Sequence, residues 1–344
     1  MKKVTTLLLL VALFTATTHG YGPRGHTLVG AIADWRIAAS ANQATKDELN
    51  ALLDGLTLEQ AATLPDSIKT WDTSPNGFHV TGHPKIESAL RAFVKVNPAT
   101  GPISHHDFHF TDVPVAGDEH YSPGEVGRSD FDIVHMIPFC VRVLQGDVPE
   151  ANDRQITKSV AVILLVHYLG DIHQPLHVGA EYFNASGSPF EPAPTNKGFA
   201  DQGGNKLTLF TLSAGMEVSA GAFHHYWDGQ TVENAFGMLS TSTIAQRLGS
   251  KEPANWKLTG AVTTWSEQLA NEILPTAREA HDRLVFSQIK SNSGDKDIIS
   301  GHAEEKKKPH ATFYAIWAAA VVKDEIHKAG WRLAALLEAL HDPT

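Results

Sequence analysis

The stretch Gln155–His177, QITKSVAVILLVHYLGDIHQPLH, carries the clearest fold signal in the sequence. Its apolar residues face every side of a helix, which is typical of a helix buried at the centre of a globular domain. His167 and Asp171 are four residues apart and share one face of that helix. A buried imidazole and carboxylate need a metal ion or a hydrogen-bonded pairing with each other. Pro175 ends or kinks the helix, so His177 points in a different direction.

The rest of the sequence indicates a mainly α fold: a single helical domain with long loops and at most a short β-hairpin. Apolar spacing predicts helices at Thr27–Ser40, Thr45–Leu53, Thr57–Leu64, Gln155–Ile172, Val262–Leu274 and Tyr314–Leu340. The alternating segment Asn205–Leu212 predicts a short strand or hairpin arm. Loops are predicted at Pro75–Pro84, Gly117–Ser129, Asn184–Gly204 and Ser291–Pro309. The charged run Glu304–Lys308 is interpreted as a solvated part of the last loop.

Composition restricts both the class of protein and its chemistry. The 344 residues are 42% hydrophobic and 19% charged, which excludes disordered, collagen-like and coiled-coil architectures. A net charge of −10 provides no basic footprint for stable binding to duplex nucleic acid. Nineteen histidines suggest metal binding. Because Cys140 is the only cysteine, histidines and carboxylates would have to hold any metal ion.

The first twenty residues have the three parts of a secretory signal peptide. A basic start is followed by the apolar run Leu7–Phe14 and by small residues before Tyr21. We expect cleavage after Gly20, which divides the chain into a signal peptide (1–20) and one domain (21–344). An uncleaved anchor is the alternative. The run is too short to span a bilayer stably, and we expect no membrane insertion. Export without a disulfide favours a bacterial periplasm or the medium over a eukaryotic secretory route.

Two further clusters contain metal-ligand residue types. In FHHYWD, His224 and Asp228 are again four residues apart, beside aromatic residues. In YGPRGH, a free amine and the carbonyl oxygen of Tyr21 would form a chelate that His26 completes. That chelate exists only after signal cleavage, and a disordered terminus is the alternative.

Three shorter clusters are weak when taken singly. They are Leu64–Lys69 (LPDSIK), Asp107–Asp112 (DFHFTD) and Gly203–Asn205 (GGN). An acid and a lysine three residues apart are common on surfaces, and Gly-Gly turns occur in most folds. Their order along the chain is more informative than any one of them.

In that order, the six clusters resemble the motifs of the exported, three-zinc, single-strand-specific (type I, or S1/P1) nucleases. The resemblance extends from Tyr21 to the helix at Ala329–Ala334, and its most specific motif is His167–His177. It implies three Zn²⁺ ions as cofactors, bound as follows. One ion would take Asp66, His109, His167 and Asp171; the second would take Tyr21, His26 and the shared Asp171; the third would take His177, His224 and Asp228. His173 and the remaining histidines, including His105 and His106, are assigned no ligand role.

The resemblance also implies the reaction and its substrates. It implies hydrolysis of single-stranded DNA and RNA to 5′-phosphate products, together with 3′-nucleotidase activity. Asp66 would orient the nucleophile, while Lys69 and Asn205 would donate to the charged phosphate in the transition state. Phe110 would stack on a base and Asp112 would hydrogen-bond its edge. Single-stranded nucleic acids and 3′-nucleotides are thus the expected partners.

The sequence departs from the family pattern in three places. Tyr21 replaces the usual Trp, and Leu64-Pro65 replaces the usual Trp-Ala. The chain is also longer than typical members, with extra length expected in Gly117–Ser129, Tyr182–Gly204 and Lys290–Pro309.

Two other functions remain open at this point. A related zinc phospholipase C would need an apolar, interface-seeking surface in place of the base pocket at Phe110–Asp112. A non-catalytic exported zinc-binding protein would keep the ligands without needing Lys69.

Overall fold

A computed structural model describes residues 21–117, 120–122, 124–213, 216–307 and 312–340. The predicted signal peptide and the last residue of the charged run, Lys308, lie outside these ranges. Among the described residues, no helix combines the length and the apolar character needed to cross a membrane.

The described chain is mainly helical, as the sequence predicts. The α-helices are α1 (Gly22–Ala39), α2 (Gln43–Leu52), α3 (Leu58–Ala61), α4 (Leu64–Ser67), α5 (Pro84–Val96), α6 (Ile133–Gln145), α7 (Lys158–Asp171), α8 (Phe223–His225), α9 (Thr231–Phe236), α10 (Thr241–Gly249), α11 (Trp265–Asp282) and α12 (Tyr314–Ala339). Single turns of 3₁₀-helix cover Ile68–Asp72, Asp107–His109, Pro175–His177 and Val262–Thr264, and Tyr226–Gln230 is a π-helical turn.

The strands form three small sheets. They are β1 (Val113–Pro114), β2 (Gly179–Ala180), β3 (Tyr182–Phe183), β4 (Phe199–Ala200), β5 (Leu207–Ser213), β6 (Met216–Ala222), β7 (Leu284–Ser291) and β8 (Ile298–Glu305). β1 pairs with β2 in parallel, and β3 pairs with β4 antiparallel. The largest sheet has the order β6-β5-β8-β7, in which β5 and β8 are parallel and the other pairs antiparallel.

Helix α7 is the central helix that the sequence predicts. Thr157 caps its N-terminus by accepting a hydrogen bond from the backbone of Val160. Every residue from Val160 to Asp171 is buried, and α7 packs against α1, α5, α6 and α12. The polar end of α7 is therefore enclosed by protein on all sides.

Helix α1 begins at Gly22, five residues before the predicted start. Pro23 lies in its first turn, where a missing N–H costs nothing. Tyr21, the first residue that the structure describes, has its side chain fully buried against the core. The last predicted helix is confirmed as α12.

The large sheet differs most from prediction. Ser291–Pro309 was predicted as a loop, but it contains β8, a central strand, and the single hairpin expected around β5 is part of a four-stranded sheet. Within the run Glu304–Lys308, Glu305 is buried rather than solvated. Its carboxylate accepts backbone N–H groups from Leu212 and Tyr314 at 2.7 and 2.8 Å, which compensates for its burial.

Five helices of the described chain were not predicted, namely α5, α6, α8, α9 and α10, and α4 begins only at Leu64, where a predicted helix ends. Pro138 interrupts the apolar pattern of α6, although its N-cap, Asp132, accepts hydrogen bonds from two backbone N–H groups. Pro275 similarly lies inside α11, which extends to Asp282 rather than ending at Leu274. Packing against neighbouring helices stabilises both segments despite an interior proline.

Candidate metal and catalytic centre

The first cluster forms where the C-terminal end of α7 lies close to α4 and to the turn Asp107–His109. Asp171 Oδ2 lies 2.9 Å from His109 Nδ1 and 3.2 Å from His167 Nε2. Asp66, at the start of the chain's Asp-Ser-Ile-Lys motif, places Oδ1 3.6 Å from His167 Nε2. All four side chains are buried. They come from α4, the turn Asp107–His109 and α7, so the fold assembles them from distant parts of the sequence.

The second cluster shares Asp171 with the first. His26 Nε2 lies 3.2 Å from Asp171 Oδ1, and the His26 ring stacks on that of His167 with centroids 3.6 Å apart. Gly170 permits this approach, because a Cβ there would lie 2.8 Å from His26 Nδ1. The hydroxyl of Tyr21 donates to the carbonyl of His173 at 2.6 Å, so a buried phenol is satisfied where the family has an indole.

The third cluster joins the chain after α7 to the π-helical turn. His177 and His224 bring their Nε2 atoms within 3.2 Å, and Asp228 Oδ2 lies 3.5 Å from His224 Nε2. The other carboxylate oxygen of Asp228 accepts a hydrogen bond from Gln174 at 2.9 Å. Gly203 (φ +56°) lies close to this cluster, and a Cβ there would lie 2.0 Å from the carbonyl oxygen of Leu176.

Backbone carbonyls fix three of the imidazole rings. Nδ1 of His167, His177 and His224 lies 2.7 to 2.8 Å from the carbonyl oxygens of Ala62, His109 and Gly203, respectively. A ring that donates from Nδ1 presents the lone pair of Nε2 to its cluster. This is the usual way in which proteins orient metal-binding histidines.

The clusters contain buried polar atoms with no hydrogen-bond partner among the described residues. They are Nδ1 and Nε2 of His26, Oδ2 of Asp66, Nε2 of His167, Oδ1 of Asp171 and Oδ2 of Asp228. Buried polar groups are almost always satisfied. Three sets of ligand atoms in this region each lie within 4.8 Å of one another: those of His26, His167 and Asp171; of Asp66, His109 and His167; and of His177, His224 and Asp228. Imidazole and carboxylate donors suit zinc. These side chains thus fit metal ions, which would satisfy the unpartnered atoms.

Burial sets the protonation of the cluster in the absence of metal. Burial, together with the neighbouring histidines, lowers the pKa of His26 to about 4 and that of His224 to about 3. These imidazoles are therefore neutral at neutral pH. The pKa of Asp66 is also lowered; burial acts in the opposite direction, but Lys69 and the adjacent histidines outweigh it. Neutral imidazoles and ionised carboxylates are the forms that bind metal ions.

The first and third clusters open onto one cavity of about 130 Å³. It is lined by Lys69, His106, His109, Phe110, Asp112, Leu176, His177, Gln202, Asn205 and His224. Lys69 Nζ lies 2.9 Å from Asp66 Oδ1, and the Asn205 amide donates to the carbonyl of Gln202 at 3.0 Å.

A second cavity of about 320 Å³ shares Phe110 and Asp112 with the first. The pairing of β1 with β2 places both residues there, since the backbone N–H of Thr111 donates to the carbonyl of His177. Burial, together with the nearby Asp201 and Asp297, raises the pKa of Asp112 to about 8. At neutral pH, this carboxyl group can therefore be both a hydrogen-bond donor and an acceptor.

The structure brings the predicted site residues to one region, and it adds residues that the sequence did not indicate. His106 lines the first cavity and pairs with Asp72. His173 accepts a hydrogen bond from the buried Arg332 at 2.9 Å, which couples α12 to the end of α7. The sequence signal for His106 was its position three residues before His109.

The buried His and Asp clusters, the neighbouring lysine and the aromatic cavity are the features expected of a metal-dependent phosphoesterase. A family model described as S1/P1 nuclease matches residues 21–342. The chain belongs to the S1/P1 nuclease family, which is metal-dependent, and it is accordingly a hydrolase that acts on nucleic acid. It is also similar to Endonuclease 2 of Arabidopsis thaliana, with 23% identity over 336 residues that cover 94% of this chain and 91% of the relative.

Proposed function

We propose that this protein is an exported, zinc-dependent endonuclease. It hydrolyses single-stranded DNA and RNA to products with 5′-phosphates, and it removes the phosphate from 3′-nucleotides. The observation that carries this proposal is the convergence of buried metal-ligand clusters, a lysine and an aromatic residue on one cavity. An enzyme of nucleic acids with an acidic net charge of −10 must attract phosphate locally, and bound cations provide that attraction.

Three zinc ions fit the three clusters. Asp66, His109, His167 and Asp171 would hold the first; Tyr21, His26 and Asp171 the second; and His177, His224 and Asp228 the third. When bound, zinc supplies Lewis-acid activation of water and neutralises phosphate charge. The buried carboxylate of Asp171 lies between His26 and His167, so it is positioned to serve two ions.

Lys69, Asp66 and Asn205 would act on the reacting phosphate. The ammonium group of Lys69 is held by Asp66 at the cavity wall, where it can donate to a phosphate oxygen as negative charge develops. Asn205 offers an amide at the same wall. Asp66 can orient an attacking water molecule through its second carboxylate oxygen, which has no hydrogen-bond partner in the described part of the chain.

Phe110 and Asp112 would bind one base of the substrate. The aromatic ring offers a stacking surface, and the carboxyl group of Asp112 can hydrogen-bond a base edge. A base must leave the duplex stack before it can enter such a cavity. This requirement favours single strands over duplexes.

Export would complete the second metal site. Removal of residues 1–20 frees the amine of Tyr21, whose side chain is anchored by the hydrogen bond to His173. Residues 21–344 would then act as one domain in the periplasm or the medium.

The test uses the protein that begins at Tyr21. We expect it to release 5′-mononucleotides from single-stranded DNA and RNA, to act slowly on duplex DNA, and to lose activity with a chelator and regain it with zinc. Phosphatidylcholine serves as the control substrate for a phospholipase. Absence of nucleotide release from zinc-loaded protein would contradict the proposal, and release of the lipid headgroup would favour the phospholipase.

A further inference from the structure

A fourth His–Asp cluster lies beside the catalytic cavity and uses none of the predicted zinc ligands. It consists of Asp72, at the end of the turn that carries Lys69, and the adjacent residues His105 and His106. Both imidazole Nε2 atoms point at the same oxygen of Asp72, at 3.3 Å from His105 and 2.7 Å from His106. Two rings from one chain segment thus converge on a carboxylate from another.

The donor set repeats that of the third cluster. His177, His224 and Asp228 also comprise two imidazoles and one carboxylate, with Nε2-to-Nε2 and Nε2-to-oxygen distances of 3.2 and 3.5 Å. The three ligand atoms of the Asp72 cluster lie within the same 4.8 Å limit. Both clusters therefore bring the same donor types close enough together to share one ion.

The surroundings keep the His105 ring neutral and fixed. It is 1% exposed and packs edge-on against Phe93, with ring centroids 6.0 Å apart. Burial, together with His106, lowers the pKa of His105 to about 4. The ring is therefore neutral at neutral pH, and a neutral imidazole is the form from which a metal ion takes a nitrogen ligand. The nearby positive charge of Lys69 is countered by Asp66 at 2.9 Å.

We propose that Asp72, His105 and His106 bind a zinc ion at a site separate from the three clusters of the catalytic centre. Two imidazoles and one carboxylate are a common zinc donor set, and three protein ligands leave one position of a tetrahedral ion open. His106 is half-buried and lines the same cavity as Lys69 and Asn205. The open position would therefore lie beside the cavity that would hold the phosphate backbone of a substrate. An oxygen atom of water or phosphate could then serve as the fourth ligand of the ion.

Zinc stoichiometry tests this site without reference to catalysis. Protein beginning at Tyr21 is brought to equilibrium by dialysis against buffered micromolar free zinc, and bound zinc is measured by mass spectrometry. We expect H106A and D72N each to bind one equivalent less than the unaltered protein. The second variant preserves the shape of the side chain, and circular dichroism verifies that both variants are folded.

The matched control is H79A. His79 forms a similar pair with a carboxylate, at 3.0 Å from Glu87, but it lies on the surface without a third ligand. We expect no loss of zinc in this variant. A full zinc count in either H106A or D72N, or an equal loss in H79A, would overturn the proposal. If only the proposed nuclease function were wrong, the protein would be inactive on nucleic acids. The differences in zinc count between the variants would remain.

Discussion

At the scale of single residues, a substitution of Lys69 separates an effect on catalysis from an effect on metal binding. It lines the cavity but donates no metal ligand, and its ammonium group is held 2.9 Å from Asp66. We expect K69A to lower kcat on single-stranded DNA by on the order of 10²–10³-fold, because a donor to the transition state is lost. Zinc content should stay unchanged, and K85A, on the surface of α5, is the control. Equal activity in K69A would favour a role other than phosphate binding.

Phe110 is the proposed base-stacking residue in the same cavity. Stacking contributes about 1–3 kcal/mol per base, so F110A should raise KM for dinucleotides by at least about fivefold. The value of kcat should change much less, because a phenyl ring supplies neither a metal ligand nor a hydrogen bond to the phosphate. F313A removes a phenyl group that is 52% exposed, at the start of α12, and should leave KM unchanged. An unaltered KM in F110A would place the base elsewhere.

At the scale of secondary-structure elements, local patterns explain what could be predicted. Helix α7 was predictable because its sequence is apolar on all sides, and its His–Asp spacing places both groups at one end. The residues of the candidate site were predictable by resemblance, since each metal ligand belongs to a short motif. Strand β8 was not predictable, because the charged run suggests that Glu305 is solvated. Its burial depends on two backbone N–H donors that are 93 and 9 residues away. The Asp72 cluster was missed because its members are 33 and 34 residues apart.

Glu305 provides a stability prediction for the large sheet. E305A would leave the buried backbone N–H groups of Leu212 and Tyr314 without their acceptor, at a cost of about 1–3 kcal/mol each. We expect a lower urea midpoint of unfolding for E305A than for E304A. Glu304 is partly exposed and accepts a single hydrogen bond, from Ser287. Equal midpoints for the two variants would mean that this carboxylate does not anchor β8.

At the scale of the whole molecule, the chain end is part of the proposed centre. Two forms of the protein, one beginning at Tyr21 and one retaining Gly20, differ by a single residue. In the longer form, the nitrogen of Tyr21 is an amide and is a poor metal ligand. We expect the longer form to bind one zinc equivalent less in equilibrium dialysis and to be less active. The same zinc count in both forms would remove Tyr21 from the set of ligands.

Metal and protons should compete for the same buried histidines, which makes stability depend on pH. After chelation, the pKa of His26 is about 4 and that of His224 about 3 because of burial, against about 6.5 in the unfolded chain. Between these values these two groups bind more protons in the unfolded state, so their contribution to the free energy of unfolding falls as the pH drops from about 6.5 towards 4. Most of the other buried histidines have lowered pKa values as well. The raised pKa values of His167 and His281 act in the opposite direction, and so do those of the buried carboxyl groups Asp112, Glu181, Asp228 and Glu325. Because these contributions oppose one another, the clearest effect of pH is on zinc binding, since imidazoles must be neutral to bind a metal ion.

The corresponding measurement is the urea midpoint of the protein with and without zinc at pH 7 and pH 5. At pH 7, added zinc should raise the midpoint, because a ligand that binds only the folded state stabilises it by mass action. We expect a smaller increase at pH 5, because protons compete with zinc for the imidazole nitrogens. Magnesium is the control, since it prefers oxygen ligands and should not replace zinc on imidazoles. A zinc-induced increase that is independent of pH, or an equal increase with magnesium, would show that buried neutral imidazoles are not what links the fold to its metal ions.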